Sequence, residues 1–209
     1  MIDTFITKLK NRIELGLPGM EAQKRMAPAQ RVIKEFKEMD YPDALKASVL
    51  VLFYPVQGVL HFVMIQRPAY DGTHGGQVSF PGGKIESTDS NPWAAALRET
   101  HEEIGVQPNN IQRIGSLSPV YIPPSNYFVH AFMGVSPAKP AFTLNAAEVE
   151  SIIETPVRLL ADNSIKSEML FLRNNLQMTV PCYNIAGKQI WGATAIMLSE
   201  LEELLKGVY

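Results

Sequence analysis

Three glutamates in one short stretch of the chain lie at a spacing that can hold a metal ion. Glu99, Glu102 and Glu103 fall within a predicted helix, where residues three and four apart share a face. Each like-charge pair at that spacing costs about 0.2 to 0.5 kcal/mol, and carboxylates in the last turn also oppose the helix dipole. A divalent cation would reverse the sign of these terms, and Mg²⁺ prefers carboxylate oxygens. The pattern suggests a metal site, with a solvated charged face as the alternative.

Zinc and disulfide chemistry are disfavoured by the histidines and the cysteine. The four histidines, at positions 61, 74, 101 and 130, show no paired ligand spacing. Cys182 is the only cysteine, so it can form no internal disulfide. We expect it to be a small buried hydrophobe.

Glycines are concentrated just before the acidic stretch, in residues 74–83. Glycine lets a backbone approach a ligand closely and adopt positive φ, and carbonyls exposed in this way can contribute to a metal site. The segment is not a P-loop, because no Gly-Lys-Ser/Thr follows, and it does not fit the dinucleotide fingerprint. A tight connection between two strands is the simpler interpretation.

A helix over about residues 92–104 is predicted to carry the glutamates. Asn91 can cap it, Pro92 suits its first position and Gly105 is a natural stop. Its other face is a narrow apolar stripe that should pack on a sheet, made of Trp93, Leu97, Thr100 and Ile104.

The remaining elements predict an α/β or α+β sandwich. Strands are indicated at 47–54 and 59–65, which form a hairpin, and at 111–120, 127–135, 169–172 and 178–183. Helices are indicated at 2–13, at 31–39 and after Thr194, which can cap the last one. Residues 148–153 are ambiguous between strand and helix. We expect a single domain over 1–209, with 1–45 as a helical extension packed on it.

Composition limits the classes of partner. The 209 residues are 46% hydrophobic and carry a net charge of −2, which is typical of a folded domain and offers no general attraction to nucleic acid or anionic membranes. No apolar stretch approaches the roughly 20 residues of a membrane span, and no signal peptide is recognisable, so we expect a cytosolic protein. The oligomeric state is left open, a homodimer included.

Gly83, Asp89 and the run 98–106 together resemble the Nudix box, Gly-x5-Glu-x7-Arg-Glu-U-x-Glu-Glu-x-Gly-U with U apolar. Arg98, Gly105 and all three glutamates match. Asp89 stands where the box has its first Glu, one extra residue separates it from Arg98, and Thr100 takes an apolar position. The resemblance implies a Nudix α/β/α sandwich with a mixed central sheet.

The segment upstream resembles the signature of the coenzyme A diphosphatases within that family. Arg67, Gly76 and the run 80–83 are in register with it, and the closing run 190–195 is similar to that group's C-terminal signature. Three positions depart from the pattern, namely Ile65, Pro68 and Gly72. Gly72 replaces an Arg that could have served a substrate phosphate.

The resemblance also implies roles for individual residues. Glu99, Glu102 and Glu103, with a carbonyl of Gly83, would hold Mg²⁺ or Mn²⁺, and Arg98 would orient the carboxylates. Substrate contacts would come from Arg67, Gln77, Phe80 and Gly82, while Tyr121, Tyr127 and the loop at 123–124 would shape the pocket.

The general base is left open among Glu99, Glu102 and Glu148. For Glu148 there is a structural alternative, because Asn145 and Glu148 stand three apart before an apolar run, as in a helix capping box. For Arg67 the alternative to a contact with substrate phosphate is an ion pair with a surface carboxylate.

The activity implied is metal-dependent hydrolysis of the diphosphate of coenzyme A or a related nucleoside diphosphate derivative, giving 3',5'-ADP and 4'-phosphopantetheine. The alternatives are a Nudix hydrolase of ADP-ribose, dinucleotides or nucleoside triphosphates, and a sensor that binds a nucleotide without turnover. The sensor is disfavoured, because all three glutamates of the box are present.

Overall fold

A computed structural model describes residues 2–28, 37–69, 74–173 and 176–208, and the structural statements below concern these ranges. The helices are α1 Ile2–Glu14, α2 Gly19–Gln23, α3 Pro92–Ile104 and α4 Gly192–Leu205. The strands are β1 Leu45–Val56, β2 Val59–Gln66, β3 Val78–Ser79, β4 Gly82–Lys84, β5 Gln112–Ser116, β6 Val120–Ile122, β7 Tyr127–Val135, β8 Ser151–Pro156, β9 Lys166–Arg173, β10 Leu176–Ile185 and β11 Lys188–Trp191.

The central sheet is mixed, as predicted. Its eight strands follow the order β3-β2-β1-β7-β5, with β4 also on β1, β6 on β7 and β8 on β2. The β1–β7 pair is parallel and the other pairs are antiparallel. A second sheet has the order β11-β10-β9. The starts of β1, β3 and β7 and the ends of β2 and β4 meet at one end of the central sheet, which we call the glycine end after Gly82 and Gly83 in β4.

The structure confirms the predicted hairpin of β1 and β2, with a turn shorter than the predicted one over residues 55–58. Pro55 and Val56 still belong to β1, and only Gln57 and Gly58 form the turn, with φ of 49° and 78°. Two consecutive residues of positive φ give the tight turn whose twist matches that of the flanking strands.

Helices cover both faces of the central sheet. On one face α3 packs through Ala96 and Ile104 on Leu50, Leu52 and Val63. The predicted stripe is confirmed, since Thr100 and Ile104 are fully buried and Trp93 and Leu97 pack on the same core. The opposite face carries α1, α4 and the small sheet in a larger core. These layers agree with the expected α/β/α sandwich.

The N-terminal segment is attached through a buried carboxylate of α4. Glu200 is fully buried and accepts hydrogen bonds from the backbone N–H of Gly19, the side chain of Gln23 and the backbone N–H of Ser118. From α1, Phe5, Ile6 and Leu9 enter the larger core, and α1 confirms the predicted opening helix. The extension therefore shares a core with the rest, and the assignment of one domain over 1–209 stays a prediction.

Several sequence predictions need correction. The strand predicted over 111–120 is two strands, β5 and β6, and β5 carries a bulge between Arg113 and Gly115. The last helix begins at Gly192, so Thr194 does not cap it and instead donates a hydrogen bond to the carbonyl of Val78 at 2.9 Å. Residues 151–156 are strand β8. The predicted helix over 31–39 lies mostly outside the described residues, and Glu38–Asp40 form a 3-10 turn.

Candidate metal centre

Three carboxylates converge at the glycine end of the central sheet. Glu99, Glu103 and Glu148 each place an oxygen within 4.8 Å of the others. Glu99 and Glu103 lie one turn apart on α3, whose capping is as predicted: Asn91 accepts from the N–H of Ala94 at 3.0 Å, and Gly105 ends the helix at a φ of 77°.

Glu148 is brought to this place by hydrogen bonds between the end of α3 and the segment before β8. The backbone N–H groups of Thr143 and Asn145 donate to the carbonyls of Ile104 and Glu103, both at 3.0 Å. Asn145 then closes a turn by accepting from the N–H of Ala147, and its amide donates to the Glu148 carboxylate at 3.3 Å. The chain continues into β8 and not into a helix, so the capping-box interpretation of Asn145 and Glu148 is wrong.

Glu103 is the most buried member of this acidic cluster, with 1% of its side chain exposed. Its pKa is raised to about 8, chiefly by burial and also by the charges of Glu99 and Glu148, although the N–H of Gly82 at 2.8 Å and Arg67 at 3.4 Å oppose the shift. Burial also raises the pKa of Glu99. The fold therefore concentrates negative charge where it is poorly solvated, which favours binding of a cation.

Arg98 lies beside the acidic cluster and contacts it through Glu99. Its Nε and Nη2 donate to the two oxygens of Asp89, each at 3.0 Å, and Nη1 donates to Glu99 and Glu102, each at 2.9 Å. Nη2 also reaches the carbonyl of Lys84. Arg98 lowers the pKa of Asp89, whose side chain is almost completely buried. Asp89 thus reaches the arginine of the Nudix-like box despite its shorter side chain and the extra residue.

The two glycines of β4 are required for different reasons. A Cβ on Gly83 would lie 2.5 Å from the Glu99 carboxylate, so only glycine lets that carboxylate rest against the strand. A Cβ on Gly82 would lie 2.3 Å from the carbonyl oxygen of Ser48, and its φ of +147° is itself unfavourable for other residues. The glycine-rich connection allows the sheet to approach α3 closely.

Of the other predicted site residues, some lie beside the acidic cluster and others do not. Glu102 is 49% exposed, lies outside the acidic cluster and pairs with Arg98. Arg67 pairs with Glu103, and the side-chain oxygen of Gln77 accepts a hydrogen bond from Nδ1 of His74 at 3.0 Å. Phe80 is fully buried and packs on Phe62, with ring centroids 6.1 Å apart, so its side chain supports the strand and offers no surface to a substrate.

Three further predictions concern Gly82, Gly72 and the aromatic loop. The N–H of Gly82 is used by Glu103. Gly72 lies outside the described residues. Tyr121 stacks on Tyr41 with centroids 4.0 Å apart and donates to Asn126, while Tyr127 packs against the larger core, so both tyrosines have structural partners.

The donor set suits a hard divalent cation. Among the described residues it consists of carboxylate oxygens alone, with no histidine or cysteine, and the one ion pair of the buried Glu103 within them is the 3.4 Å contact to Arg67. Carboxylate oxygens are ligands for Mg²⁺ and Mn²⁺, whereas structural zinc sites use cysteine and histidine. The residues present therefore fit the metal type expected from the sequence.

Sequence comparison assigns the family. The family model described as NUDIX domain matches residues 44–170, more than half of the chain. The chain therefore belongs to the Nudix family, and it is a hydrolase of the diphosphatase type. Nudix hydrolases generally use divalent metal ions, which agrees with the acidic cluster.

The relatives include enzymes from distant organisms. The chain is 33% identical over 167 residues to the human mitochondrial coenzyme A diphosphatase NUDT8, covering 78% of this chain and 71% of the relative. It is 26% identical over 187 residues to a probable nudix hydrolase of Schizosaccharomyces pombe, covering 89% and 65%. The solved structure of the Nudix hydrolase RenU from M. smegmatis shares the fold, with a TM-score of 0.55, 15% identity and coverage of 79% of this chain and 88% of that one.

None of the helices formed by the described residues has the length and apolar character needed to cross a bilayer.

Proposed function

We propose that this protein hydrolyses the diphosphate linkage of coenzyme A or a closely related nucleoside diphosphate derivative. The observation that carries the proposal is the acidic cluster of Glu99, Glu103 and Glu148 beside Arg67 at the glycine end of the sheet. The similarity to a coenzyme A diphosphatase and the signature around Arg67 support this substrate over other Nudix substrates.

Glu99 and Glu103 would hold Mg²⁺ or Mn²⁺, together with Glu102 and the carbonyl of Gly83. A bound divalent ion supplies charge neutralisation for a diphosphate and lowers the pKa of a coordinated water. Glu102 is one residue from Glu103 on an exposed part of α3 and pairs with Arg98. Arg98 would remain fixed by Asp89, which keeps Glu99 in place.

We assign the general base to Glu148. Glu103 is enclosed by Gly82 and Arg67, and Glu99 is held by Arg98, so both are committed to other partners. Glu148 is solvent-accessible. Its carboxylate accepts a hydrogen bond from the side-chain amide of Asn145, which carries no charge. A carboxylate oxygen of Glu148 would take the proton of the attacking water.

The reaction consumes one water. Its oxygen forms a bond to one phosphorus as the bond from that phosphorus to the bridging oxygen breaks, and the bridging oxygen leaves on the other phosphate. From coenzyme A the products are 3',5'-ADP and 4'-phosphopantetheine. Hydrolysis in ¹⁸O-labelled water followed by mass analysis identifies the phosphorus attacked, since only that product gains the label.

The test is a substrate panel with mass analysis of the products. Coenzyme A, ADP-ribose, a dinucleoside polyphosphate and a nucleoside triphosphate are each incubated with Mg²⁺ or Mn²⁺, and we expect the highest kcat/KM for coenzyme A. A higher value for another member would move the assignment to that substrate. Full activity in excess chelator would refute the metal requirement.

Replacement of the base gives a second check. Glu148→Gln should lower kcat by about a hundredfold or more, because general-base catalysis is typically worth that much. A kcat equal to that of wild type in this variant would move the base to Glu99 or Glu102.

A further inference from the structure

We propose that Arg67 and Ser79 form a binding site for a non-bridging phosphate oxygen beside the acidic cluster. The inference rests on the proposed function and names the part of the site that holds the substrate anion. It adds Ser79, which neither the sequence patterns nor the family resemblance singles out.

Strand register places both side chains on the α3 face of the sheet. Ser79 pairs with Ile65, and Ile65 packs in the core under α3. The neighbours of Ser79, Val78 and Phe80, point into the core on the opposite face. Arg67 lies two residues after Ile65, so its side chain is on the same face of the sheet. Its backbone N–H donates a hydrogen bond to the carbonyl of Gln77, so Arg67 and Ser79 are diagonal neighbours on adjacent strands.

Both side chains have a buried polar atom that lacks a partner among the described residues. These are Arg67 Nε and Ser79 Oγ. Buried polar groups are nearly always hydrogen-bonded, and leaving one unsatisfied costs on the order of 1–3 kcal/mol. A third such atom, Ser48 Oγ, lies on the same face, because Ser48 pairs with Gly83. Unsatisfied donors gathered next to a catalytic cluster indicate a place that is completed by a ligand.

The guanidinium of Arg67 divides its donors between two tasks. Nη1 contacts Glu103 at 3.4 Å, which fixes the plane of the group. Nε lies on another edge of the same planar fork and is buried, while 27% of the Arg67 side chain as a whole remains exposed. Arginine forks bind phosphate oxygens through adjacent N–H groups, and a serine hydroxyl can add one further donor.

The strand that carries Ser79 is held rigidly. Thr194 of α4 donates to the carbonyl of Val78, and β11 packs against β3. A donor on a fixed strand contributes to phosphate binding without a large ordering cost. This also gives a reason for the Thr194 contact, which ties the C-terminal helix to the edge of the site.

The experiment measures binding of imidodiphosphate, a diphosphate that resists hydrolysis, by calorimetry in the presence of Mg²⁺. Ser79→Ala removes one hydrogen bond to a charged oxygen and should weaken binding about tenfold. Arg67→Lys keeps a positive charge near Glu103 but loses Nε, and should weaken it at least as much. The control is Thr155→Val, which removes another unpartnered buried hydroxyl on the opposite face of the sheet and should bind like wild type.

A second measurement separates anion binding from an effect on the metal. Mn²⁺ affinity, measured by electron paramagnetic resonance without the diphosphate, should be unchanged in Ser79→Ala. With substrate, the same variant should raise KM more than it lowers kcat. Wild-type imidodiphosphate affinity in both site variants, or weaker Mn²⁺ binding in Ser79→Ala, would overturn the proposal.

The two proposals fail differently. If wild type hydrolyses no diphosphate but the variants bind imidodiphosphate more weakly than wild type, the anion site stands and the proposed function falls. If wild type hydrolyses coenzyme A and the variants bind the probe normally, the proposed function stands and the anion site falls.

Discussion

At the scale of single residues, the site is built around a carboxylate in an unfavourable environment. Glu103 is buried against Gly82 and Arg67 and shares its surroundings with two other acids, Glu99 and Glu148. Its pKa of about 8 is raised above the usual value, so the proton is bound more tightly in the folded than in the unfolded chain. This costs stability and prepares the residue for a cation.

Glu103→Gln tests that environment through pH. The unfolded chain loses its Glu proton near pH 4.5 and the metal-free folded chain near 8, so wild type should lose up to about 1.4 kcal/mol of stability per pH unit between these values. The variant lacks this loss, and its stability relative to wild type should rise across the window. Denaturant unfolding in chelator measures it, and addition of Mg²⁺ should reverse the order. Parallel pH profiles would contradict the assigned pKa.

Asp89→Asn tests the position where this chain departs from the Nudix box. The change removes one charge from the two-bond contact with Arg98, which also fixes Glu99. We expect kcat to fall at least tenfold, as charge-assisted hydrogen bonds are worth about 1.5–3 kcal/mol. Glu21→Gln, which breaks an exposed ion pair with Lys24, should leave kcat unchanged. Equal activity of both variants and wild type would remove the positioning role of Asp89.

At the scale of elements, strand β4 brings the sheet within contact distance of α3. Its two adjacent glycines face different neighbours, the backbone of β1 for Gly82 and the carboxylate of Glu99 for Gly83. A backbone cannot move aside cheaply, whereas the end of a glutamate side chain can.

The pair Gly82→Ala and Gly83→Ala should therefore separate stability from function. Gly82→Ala should lower the free energy of unfolding by several kcal/mol, because it combines a backbone clash with an unfavourable φ. Gly83→Ala should unfold close to wild type but displace Glu99, and should lose Mn²⁺ affinity and most activity. Thermal unfolding and Mn²⁺ titration measure the two effects. Similar unfolding of both variants would contradict the structural difference between these positions.

At the scale of the whole molecule, the N-terminal segment lies before the matched family region and is still part of the core. Glu200 accepts from α2 and from the N–H of Ser118, which connects the segment, α4 and the strand region in one buried contact. The family match begins only at residue 44. The contact predicts that the segment and the Nudix region unfold together.

Glu200→Gln tests this coupling. An amide cannot accept from all three donors as the carboxylate does, so stability should fall by about 1–3 kcal/mol. Unfolding in denaturant, followed by circular dichroism and tryptophan fluorescence, should remain one transition in both proteins. Two transitions in wild type would contradict the single domain predicted from the sequence.

Features determined by short-range signals were predictable from the sequence. The caps Asn91 and Gly105 set the ends of α3, and the apolar stripe set its buried face, because both act within one or two helical turns. The hairpin of β1 and β2 followed from the residue types of the strands and the turn residues between them, although the predicted turn was longer than the observed one. The glutamates of α3 and the clamp role of Arg98 came from spacing and family resemblance.

The tertiary structure decided which of these groups act together. Glu148 is remote in sequence from α3. It lies next to Glu99 and Glu103 because backbone N–H groups of the segment before β8 donate hydrogen bonds to carbonyls at the end of that helix. Phe80 lies in the larger core and Ser79 lies on the α3 face, because successive side chains of a strand point to opposite faces of the sheet. Sequence alone therefore determined the residue types of the candidate metal centre and the helix that holds most of them. Burial and convergence depend on contacts between distant segments, which no local pattern encodes.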